Sequence, residues 1–170
     1  NNDVKVDRKA ISEMVKVAET DSNIGFVTGK AYYYNIQGKK NIIYSFGTEF
    51  NKDFFEIKVI GDSEEDTGQF DEIEELELCD DCYILVRKEV IQETGGYDDT
   101  VFYGTHIQGE EVDWQLRAKK LGYKIYYTPY AKLWHKVGMT TGGPESAYRH
   151  YNSRRSRIVL ARIHSSNKQF

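Results

Sequence analysis

The stretch of sequence that decides the fold is LVRKEVIQETGGYDDTVFY, residues 85–103, together with GEEVDWQLRAKKLGYKIYYTPYAKLWH, residues 109–135. Each part contains a helical segment that stops at glycine. The run from Lys88 to Thr94 predicts a short helix, because Gly95-Gly96 can adopt the left-handed conformation that closes helices. The second part predicts a longer helix from Glu110 to Leu121.

Two short strands are predicted after that helix, one from Lys124 to Tyr127 and one from Ala131 to Trp134, on either side of Pro129. Earlier in the chain, apolar residues at helical spacing predict a helix from Asp7 to Asp21, with Asp7 as its N-cap. The remaining elements are strands at 24–34, 42–46, 54–60 and 83–86 and a helix at 146–163. This mixture of helices and strands predicts a single α/β domain.

The composition is typical of a globular domain. Of the 170 residues, 39% are hydrophobic and 29% are charged. No apolar run approaches the roughly 20 residues that cross a bilayer. The formal net charge of −4 gives no reason to expect nucleic acid as a partner. The chain has two cysteines, Cys79 and Cys82, whereas a structural zinc site needs about four ligands. We therefore interpret both as reduced thiols, which fits a cytoplasmic protein.

Charge is distributed unevenly along the chain. Eleven acids and no Lys or Arg occur between Asp62 and Asp81, whereas six bases and no acid follow Glu145. The acidic run predicts a solvated loop at 61–81. The basic end is a candidate for contact with phosphate groups or with a membrane surface.

Several ordered motifs in this chain resemble one enzyme family. They are R-K-E-V at 87–90, G-G-Y-D at 95–98, E-E-V-D-W-Q-L-R at 110–117, G-Y at 122–123 and a strand that ends in His135. In this order they resemble the second half of the family 2 inverting glycosyltransferases, especially the rhamnosyltransferase-like branch. The resemblance extends back to Asn1-Asn2-Asp3, which is similar to the family's D-x-D-type position. It extends forward to H-Y-N-S-R at 150–154.

This resemblance implies a partial GT-A fold, in which a mixed sheet is flanked by helices and the N-terminal nucleotide-binding half precedes residue 1. The expected parts are a metal-site loop with a helix and strands at 1–60, the acidic loop at 61–81, the catalytic motif region at 82–135, and a lid loop with the basic terminal helix at 136–170. The implied reaction moves a sugar, with inversion, from a UDP-, dTDP- or GDP-linked donor to a hydroxyl of a glycan or lipid-linked glycan. Such reactions build polysaccharides.

The transfer needs a divalent cation that stabilises the leaving diphosphate. The resemblance makes Asp3 a candidate metal ligand, with Asn1 where the family often has another acid. His135 is the second candidate ligand, and an imidazole ligand favours Mn²⁺ over Mg²⁺. From the residues alone, the competing interpretations are an ordinary loop carboxylate at Asp3 and a structural histidine at a strand end.

The transfer also needs a base that takes the proton from the acceptor hydroxyl. The resemblance assigns this role to Glu111, one methylene longer than the family's usual Asp, and Glu110 remains a candidate. The competing interpretation is that both acids complement the helix dipole, which would favour the ionised carboxylate. Asp113 and Arg117, at i and i+4, predict a structural ion pair. Trp114 is predicted to line the acceptor site or to pack in the core.

Further candidate binding residues lie on either side of this region. Asp80 and Asp81 stand where the family has a small glycine-containing segment beside the donor sugar, so both are candidates for contact with sugar hydroxyls. The glycine-rich segment 138–144 is predicted to be a mobile lid or a plain surface loop.

On the terminal helix, the family motif selects Arg154 and a helical wheel selects Arg155 as an arginine that needs an anionic partner. Either the acidic loop or a diphosphate could be that partner. The wheel places Arg155 in an apolar arc that we expect to be buried. The arc consists of Tyr151, Ile158, Val159 and Ile163.

Two other functions remain open. The departures from the family pattern at Asn1, Asp81 and Glu111 fit a non-catalytic carbohydrate-binding module derived from such an enzyme. The basic terminal helix fits a domain that binds a membrane surface or a polyanion. The predicted location is the cytoplasm, with peripheral contact at the inner face of the membrane. Half of a GT-A sheet would leave an exposed edge, which predicts self-association.

Overall fold

The structure, a computed structural model, describes residues 3–36, 38–51, 53–102, 109–137 and 146–165. In chain order its elements are β1 (Val4–Val6), α1 (Ala10–Ala18), β2 (Ile24–Tyr33), β3 (Ile43–Ser45), β4 (Gly47–Asn51), β5 (Glu56–Ile60), β6 (Glu74–Leu76), β7 (Ile84–Val86), α2 (Lys88–Thr94), α3 (Glu110–Lys120), β8 (Lys124–His135) and α4 (Ala147–His164). The protein is mixed α/β with a mixed sheet flanked by helices, as predicted. Within the described ranges, no helix combines the length and the apolar character needed to cross a membrane.

The main sheet is built around β2 and β8, which run parallel from the Ile24–Lys124 pair to the Tyr33–His135 pair. On the outer side of β8 lie β6, beside its beginning, and β1, beside its end, both antiparallel to it. On the outer side of β2 lie β7 and β3, also antiparallel. The sheet is therefore four strands wide, and β4 and β5 form a separate antiparallel hairpin.

Both faces of this sheet are covered, which explains why β2 is buried almost throughout. Successive residues of a strand point to opposite faces. Val27 accordingly belongs to a small cluster with Met14 of α1. Phe26 belongs to a larger cluster on the other face, with Trp114 of α3 and Leu160 of α4. Three helices, α2, α3 and α4, therefore pack on the face opposite α1.

The helices predicted around the glycine stops are confirmed. The helix α2 ends at Gly95, whose φ of +78° is the left-handed conformation expected there. The helix α3 begins at Glu110 and ends at Lys120. The helix α4 begins after Ser146, whose hydroxyl accepts a hydrogen bond from the Arg149 N–H at 3.3 Å.

The two predicted strands around Pro129 are one strand, β8. The parallel pairing shifts register at this point, because Gly29 pairs with Thr128 while Lys30 pairs with Lys132. The extra residues form a bulge, and a bulge accommodates a proline, which has no N–H to donate to the ladder.

The sequence predicted a loop throughout the acidic segment 61–81. The structure corrects this prediction, because the segment contains the strand β6. Leu76 of β6 is buried and pairs with Ile125, while Glu74 and Glu75 are exposed. One buried apolar residue therefore fixes a strand in a segment whose charges favour solvent. The strands β1 and β4 were not predicted either.

The first helix is shorter than predicted. It spans Ala10–Ala18 with Lys9 at its N-cap position, and the Asp7 carboxylate instead accepts a hydrogen bond from the Lys9 N–H at 2.9 Å. Ile11 and Val15 are two of the apolar residues whose helical spacing predicts this helix, but both are exposed.

The prediction for the buried face of α4 was wrong. Tyr151, Ile158 and Ile163 are exposed, and of the predicted arc only Val159 packs against the core. The residues that face inward are Asn152, Ser156 and Leu160. Ser156 lies so close to Gly109 that a larger residue does not fit there. The helix therefore buries a small polar side chain at this point.

Candidate active site

The two predicted metal ligands, Asp3 and His135, lie side by side although they are far apart in the sequence. The strand β1 pairs with the end of β8 so that Val4 faces His135, which brings the preceding Asp3 next to the imidazole. Asp3 Oδ1 is 3.3 Å from His135 Nε2, and both side chains are largely buried. The sheet register, rather than a loop, sets this distance.

The pair fits a divalent cation. Metal–oxygen and metal–nitrogen distances of about 2.1 Å place two adjacent ligands of one ion about 3 Å apart. The Nδ1 atom of His135 is buried and has no hydrogen-bond partner within the described part of the chain. Asp3 and His135 are two ligands, and the described residues contain no group of three or more His, Cys, Asp or Glu able to hold a metal. Further ligands would have to come from outside the described part of the chain, from a substrate or from water.

Tyr44 connects this pair to the predicted sugar-binding acids. Its ring packs edge-on against the His135 ring, with 4.8 Å between the centroids. Its hydroxyl donates a hydrogen bond to Asp80 Oδ2 at 3.0 Å. Asp80 Oδ1 in turn accepts from the Cys82 N–H at 2.8 Å. Asp80 is therefore held in place from two directions.

Four carboxylates, Asp80, Asp81, Glu110 and Glu111, form a group that we call the site acids. Asp81 accepts a hydrogen bond from the Tyr97 hydroxyl at 3.0 Å. Partial desolvation by the surrounding protein, followed by the charge of Asp80, raises the pKa of Asp81 to about 6. Asp81 is nevertheless solvent exposed, so water screens this effect. Glu111 is the more strongly perturbed group.

Glu111 lies in the first turn of α3 and is 9% exposed. Its Oε2 accepts a hydrogen bond from the Gly109 N–H at 2.7 Å. Burial, followed by the negative charges of Asp81 and Glu110, raises the pKa of Glu111 to about 8. Desolvation and like charges therefore outweigh the helix dipole, which favours the ionised form.

Gly109 makes this position possible. Its φ of +121° is a conformation that residues with a side chain rarely adopt. A Cβ atom there would also lie 2.7 Å from the Ser156 Cβ of α4. The turn that presents Glu111 is therefore packed directly beneath α4.

Asp113 and Arg117 form the predicted ion pair, with 2.7 Å between Arg117 Nε and Asp113 Oδ2. His164 of α4 adds a third member, its Nε2 lying 2.8 Å from Asp113 Oδ1. Arg117 also donates to the carbonyl oxygens of Thr94 and Gly96, both at 2.6 Å. Burial alone would raise the pKa of Asp113, but the hydrogen bonds from His164 and Arg117 hold it below its usual value. This network joins α3, α4 and the turn before Tyr97.

Trp114 packs in the core. It is 6% exposed and its Nε1–H donates to the Thr94 hydroxyl at 2.6 Å. Its ring lies edge-on to those of Phe26 and Tyr97. It supports Tyr97, and through Tyr97 it supports Asp81.

Sequence reasoning missed Gln115, which is fully buried. Its side-chain amide accepts from the Cys79 N–H and donates to the Cys79 carbonyl, both at 2.8 Å. This clamp fixes the chain immediately before Asp80. An amide at a core-facing helix position is the signal that identifies it. Tyr44 and Tyr97 gave no comparable signal, because the chain has 13 tyrosines.

The predicted thiols at Cys79 and Cys82 are free and buried. Burial, with the charge of Asp80, raises the pKa of both. Neutral, enclosed thiols of this kind pack as small apolar groups.

The structure does not bring the predicted arginines to the site acids. Arg154 is exposed on α4 and Arg155 is half-buried. Within the described residues, neither forms a hydrogen bond or an ion pair with the site acids. Asn1 and the predicted lid at 138–144 lie outside the described residues.

A second group of carboxylates is neutralised by a lysine. Lys30 of β2 is 1% exposed, and its Nζ lies 3.0 Å from Asp66 Oδ2 and 2.6 Å from Asp71 Oδ1. The Tyr32 hydroxyl donates to the same Asp66 oxygen at 2.5 Å. We call these four residues the Lys30 cluster. It anchors the acidic segment 61–81 to the sheet.

Comparison with known proteins does not place the chain in a family. No family model matches it, and no curated protein does.

Proposed function

We propose that this chain is the catalytic, acceptor-side part of an inverting glycosyltransferase of family 2 with a GT-A fold. The observation that carries the proposal is the 3.3 Å approach of Asp3 and His135, which lie far apart in the sequence. This pair stands at one end of a series of polar groups that passes through Tyr44 and Asp80. The reaction needs a metal site and a base in one cleft, and Glu111 supplies the base.

Asp3 and His135 would hold the cation. A bound Mn²⁺ or Mg²⁺ ion supplies positive charge that stabilises a departing nucleotide diphosphate. The imidazole favours Mn²⁺. The donor would be a UDP-, dTDP- or GDP-linked sugar, whose diphosphate oxygens complete the ligand set.

Glu111 takes the proton from the acceptor hydroxyl. The acceptor oxygen then bonds to the anomeric carbon from the side opposite the diphosphate, the bond from that carbon to the diphosphate oxygen breaks, and the configuration inverts. A pKa of about 8 makes Glu111 a stronger base than an ordinary glutamate. Because the Gly109 N–H holds Oε2, we assign the proton to Oε1.

Asp80 and Asp81 would bind sugar hydroxyls. Both carboxylates are fixed by tyrosine hydroxyls, Asp80 by Tyr44 and Asp81 by Tyr97. Hydrogen-bond acceptors held in fixed positions are suited to orienting a glycan. After burial, the negative charge of Asp81 also raises the pKa of Glu111.

The test of the base is turnover of UDP-, dTDP- and GDP-sugars with Mn²⁺ by the protein and its Glu111→Gln variant. We expect loss of about 10²–10⁴-fold in the variant. Glu72→Gln, an exposed acid of the acidic segment, is the matched control and should keep full activity. Glu110→Gln distinguishes the two adjacent acids, because losing more activity there would transfer the role of base to Glu110.

The pH profile provides a second measure of the base. Glu111 acts only when it is deprotonated, so the rate should rise as the pH increases through about 8 and level off above it. A rate that is already maximal near pH 6 would contradict a buried Glu111 as the base.

The metal site is tested without turnover, by electron paramagnetic resonance of Mn²⁺ titrated into the protein. Asp3→Asn and His135→Ala should each weaken binding at least tenfold, while Asp99→Asn, an exposed acid, should not. If no donor is turned over while glycan binding is retained, the protein is a carbohydrate-binding module instead.

A further inference from the structure

The outward face of α4 combines exposed apolar side chains with arginines. Ile158 is 72% exposed and Tyr151 is 68% exposed. Arg154 and Arg162 stand four residues before and after Ile158, on the same side of the helix. The opposite side of the helix packs against the core through Ser156. The apolar residues and arginines named above therefore face outward.

The neighbouring hairpin extends this face. Phe54, in the turn between β4 and β5, is 68% exposed. Arg157 joins the hairpin to α4 by donating to the Phe54 carbonyl and to Glu56 Oε1, both at 3.0 Å. A groove of about 760 Å³ lies between them, lined by Phe54, Ile158 and Arg154 among others. We call the five residues Phe54, Tyr151, Arg154, Ile158 and Arg162 the α4 face.

The face is basic in an acidic protein. The helix α4 carries five arginines and no acid, whereas the whole chain has a net charge of −4. The acids beside it are Asp53, which lines the groove, and Glu56, which is paired with Arg157. Arg154 and Arg162 form no ion pair within the described ranges. Their charge is therefore available to an anionic partner.

We propose that the α4 face docks on an anionic lipid bilayer. Phe54, Tyr151 and Ile158 enter the boundary between headgroups and acyl chains, and Arg154 and Arg162 pair with lipid phosphates. Alternating aliphatic and cationic side chains match this boundary, where phosphate and hydrocarbon lie next to each other. A soluble polyanion would leave Ile158 without an apolar partner. A second copy would bring arginines against arginines across a symmetric contact.

The test is co-sedimentation of the chain with vesicles of phosphatidylcholine alone and of phosphatidylcholine mixed with phosphatidylglycerol. We expect binding to the anionic vesicles that weakens as salt is added. Arg154→Ala should weaken it about fivefold, as one lost cation near the surface predicts. Ile158→Ser should weaken it roughly tenfold through lost apolar burial.

Two matched variants on α1 and before it serve as controls. Ile11→Ser removes an isoleucine that is 63% exposed, and Arg8→Ala removes an exposed arginine. Both should bind vesicles as the unmodified chain does. Since all four side chains lie at the surface, thermal melting should show that every variant folds.

Three results would overturn the proposal. The first is no binding to anionic vesicles, or equal losses in the α1 controls. The second is binding of dextran sulfate as tight as that of vesicles and insensitive to Ile158→Ser, which would make the face a polyanion site. The third is a dimer, seen by sedimentation, that Ile158→Ser dissociates. Vesicle binding does not require sugar transfer, so the proposal stands or falls independently of the proposed enzyme activity.

Discussion

The two groups of carboxylates in this protein differ in how their charge is compensated. In the Lys30 cluster, a buried ammonium group lies within 3.0 Å of one carboxylate and 2.6 Å of another. Burial alone would raise the pKa of Asp66, but hydrogen bonds from Tyr32, the Gly68 N–H and Lys30 lower it. Glu111, one of the site acids, is instead buried beside the negative charges of Asp81 and Glu110, and its pKa rises to about 8.

This difference separates a structural role from a chemical one. A neutralised cluster stabilises the fold. A carboxylate that is buried beside like charges, as Glu111 is, costs stability, and proteins accept such a cost where a carboxylate must act as a base or bind a cation. The comparison therefore predicts opposite effects when a charge is removed from each group.

The largest effect is expected from Lys30→Met. It removes the cation from the largely buried Asp66, and also from the exposed Asp71, which should cost about 3–5 kcal/mol of unfolding free energy, mostly through Asp66. Urea denaturation at pH 7 measures it. Lys39→Met, which breaks the exposed pair of Lys39 with Glu65, is the control and should cost less than about 1 kcal/mol. Equal losses in both variants would mean that the Lys30 cluster does not anchor the acidic segment.

A smaller effect of opposite sign is expected from Glu111→Gln. The folded-state pKa of about 8 exceeds the ordinary value of 4.5, so the folded protein retains a proton that the unfolded chain releases. Stability therefore falls as the pH rises from about 4.5 to about 8. The variant escapes this loss and should be more stable than the unmodified protein by about 2–4 kcal/mol near pH 8, and no more stable near pH 4.

Urea denaturation across this pH range checks the prediction, with Glu72→Gln as the control. A variant that is less stable than the unmodified protein at pH 8 would show that the Glu111 charge is compensated.

The smallest effects compare the two tyrosines that hold carboxylates. Tyr32→Phe removes a donor to the largely buried Asp66, which should cost about 1–2 kcal/mol and raise the pKa of Asp66. Tyr97→Phe removes a donor to the exposed Asp81, where water replaces it, so the cost should stay below about 1 kcal/mol. The pKa of Asp81 should rise above about 6. Carbon-13 NMR titration of the carboxyl groups measures both pKa values, and a larger cost for Tyr97→Phe would contradict the comparison.

Local signals in the sequence predicted several elements well. The helix α2 follows from its stop at Gly95-Gly96, and α3 follows from its stop at Gly122. The i and i+4 spacing predicted the ion pair of Asp113 and Arg117. These features depend on residues close in sequence, where backbone conformation and helix geometry act directly.

The sequence was less informative where distant residues decide the outcome. The wheel for α4 selected Tyr151 and Ile158 as buried, although the small Ser156 faces the core beside Gly109. The run of acids predicts a solvated segment. Its partner Lys30 lies on β2, far away in the chain, so the charge pattern of the segment does not reveal it. His164, Gln115 and Tyr44 were not selected, since each acts through a residue on another element.

The sequence by itself determined the mixed α/β class and the helices around the glycine stops, for which local conformational preference suffices. The candidate residues Asp3, Glu111 and His135 came from the resemblance to a known family and not from local residue chemistry. Only the tertiary structure decided that Asp3 meets His135, that Glu111 is buried beside like charges, and that the apolar side of α4 faces outward. Strand register, desolvation and close packing are properties of chain segments that meet in space, and no local pattern of residues encodes them.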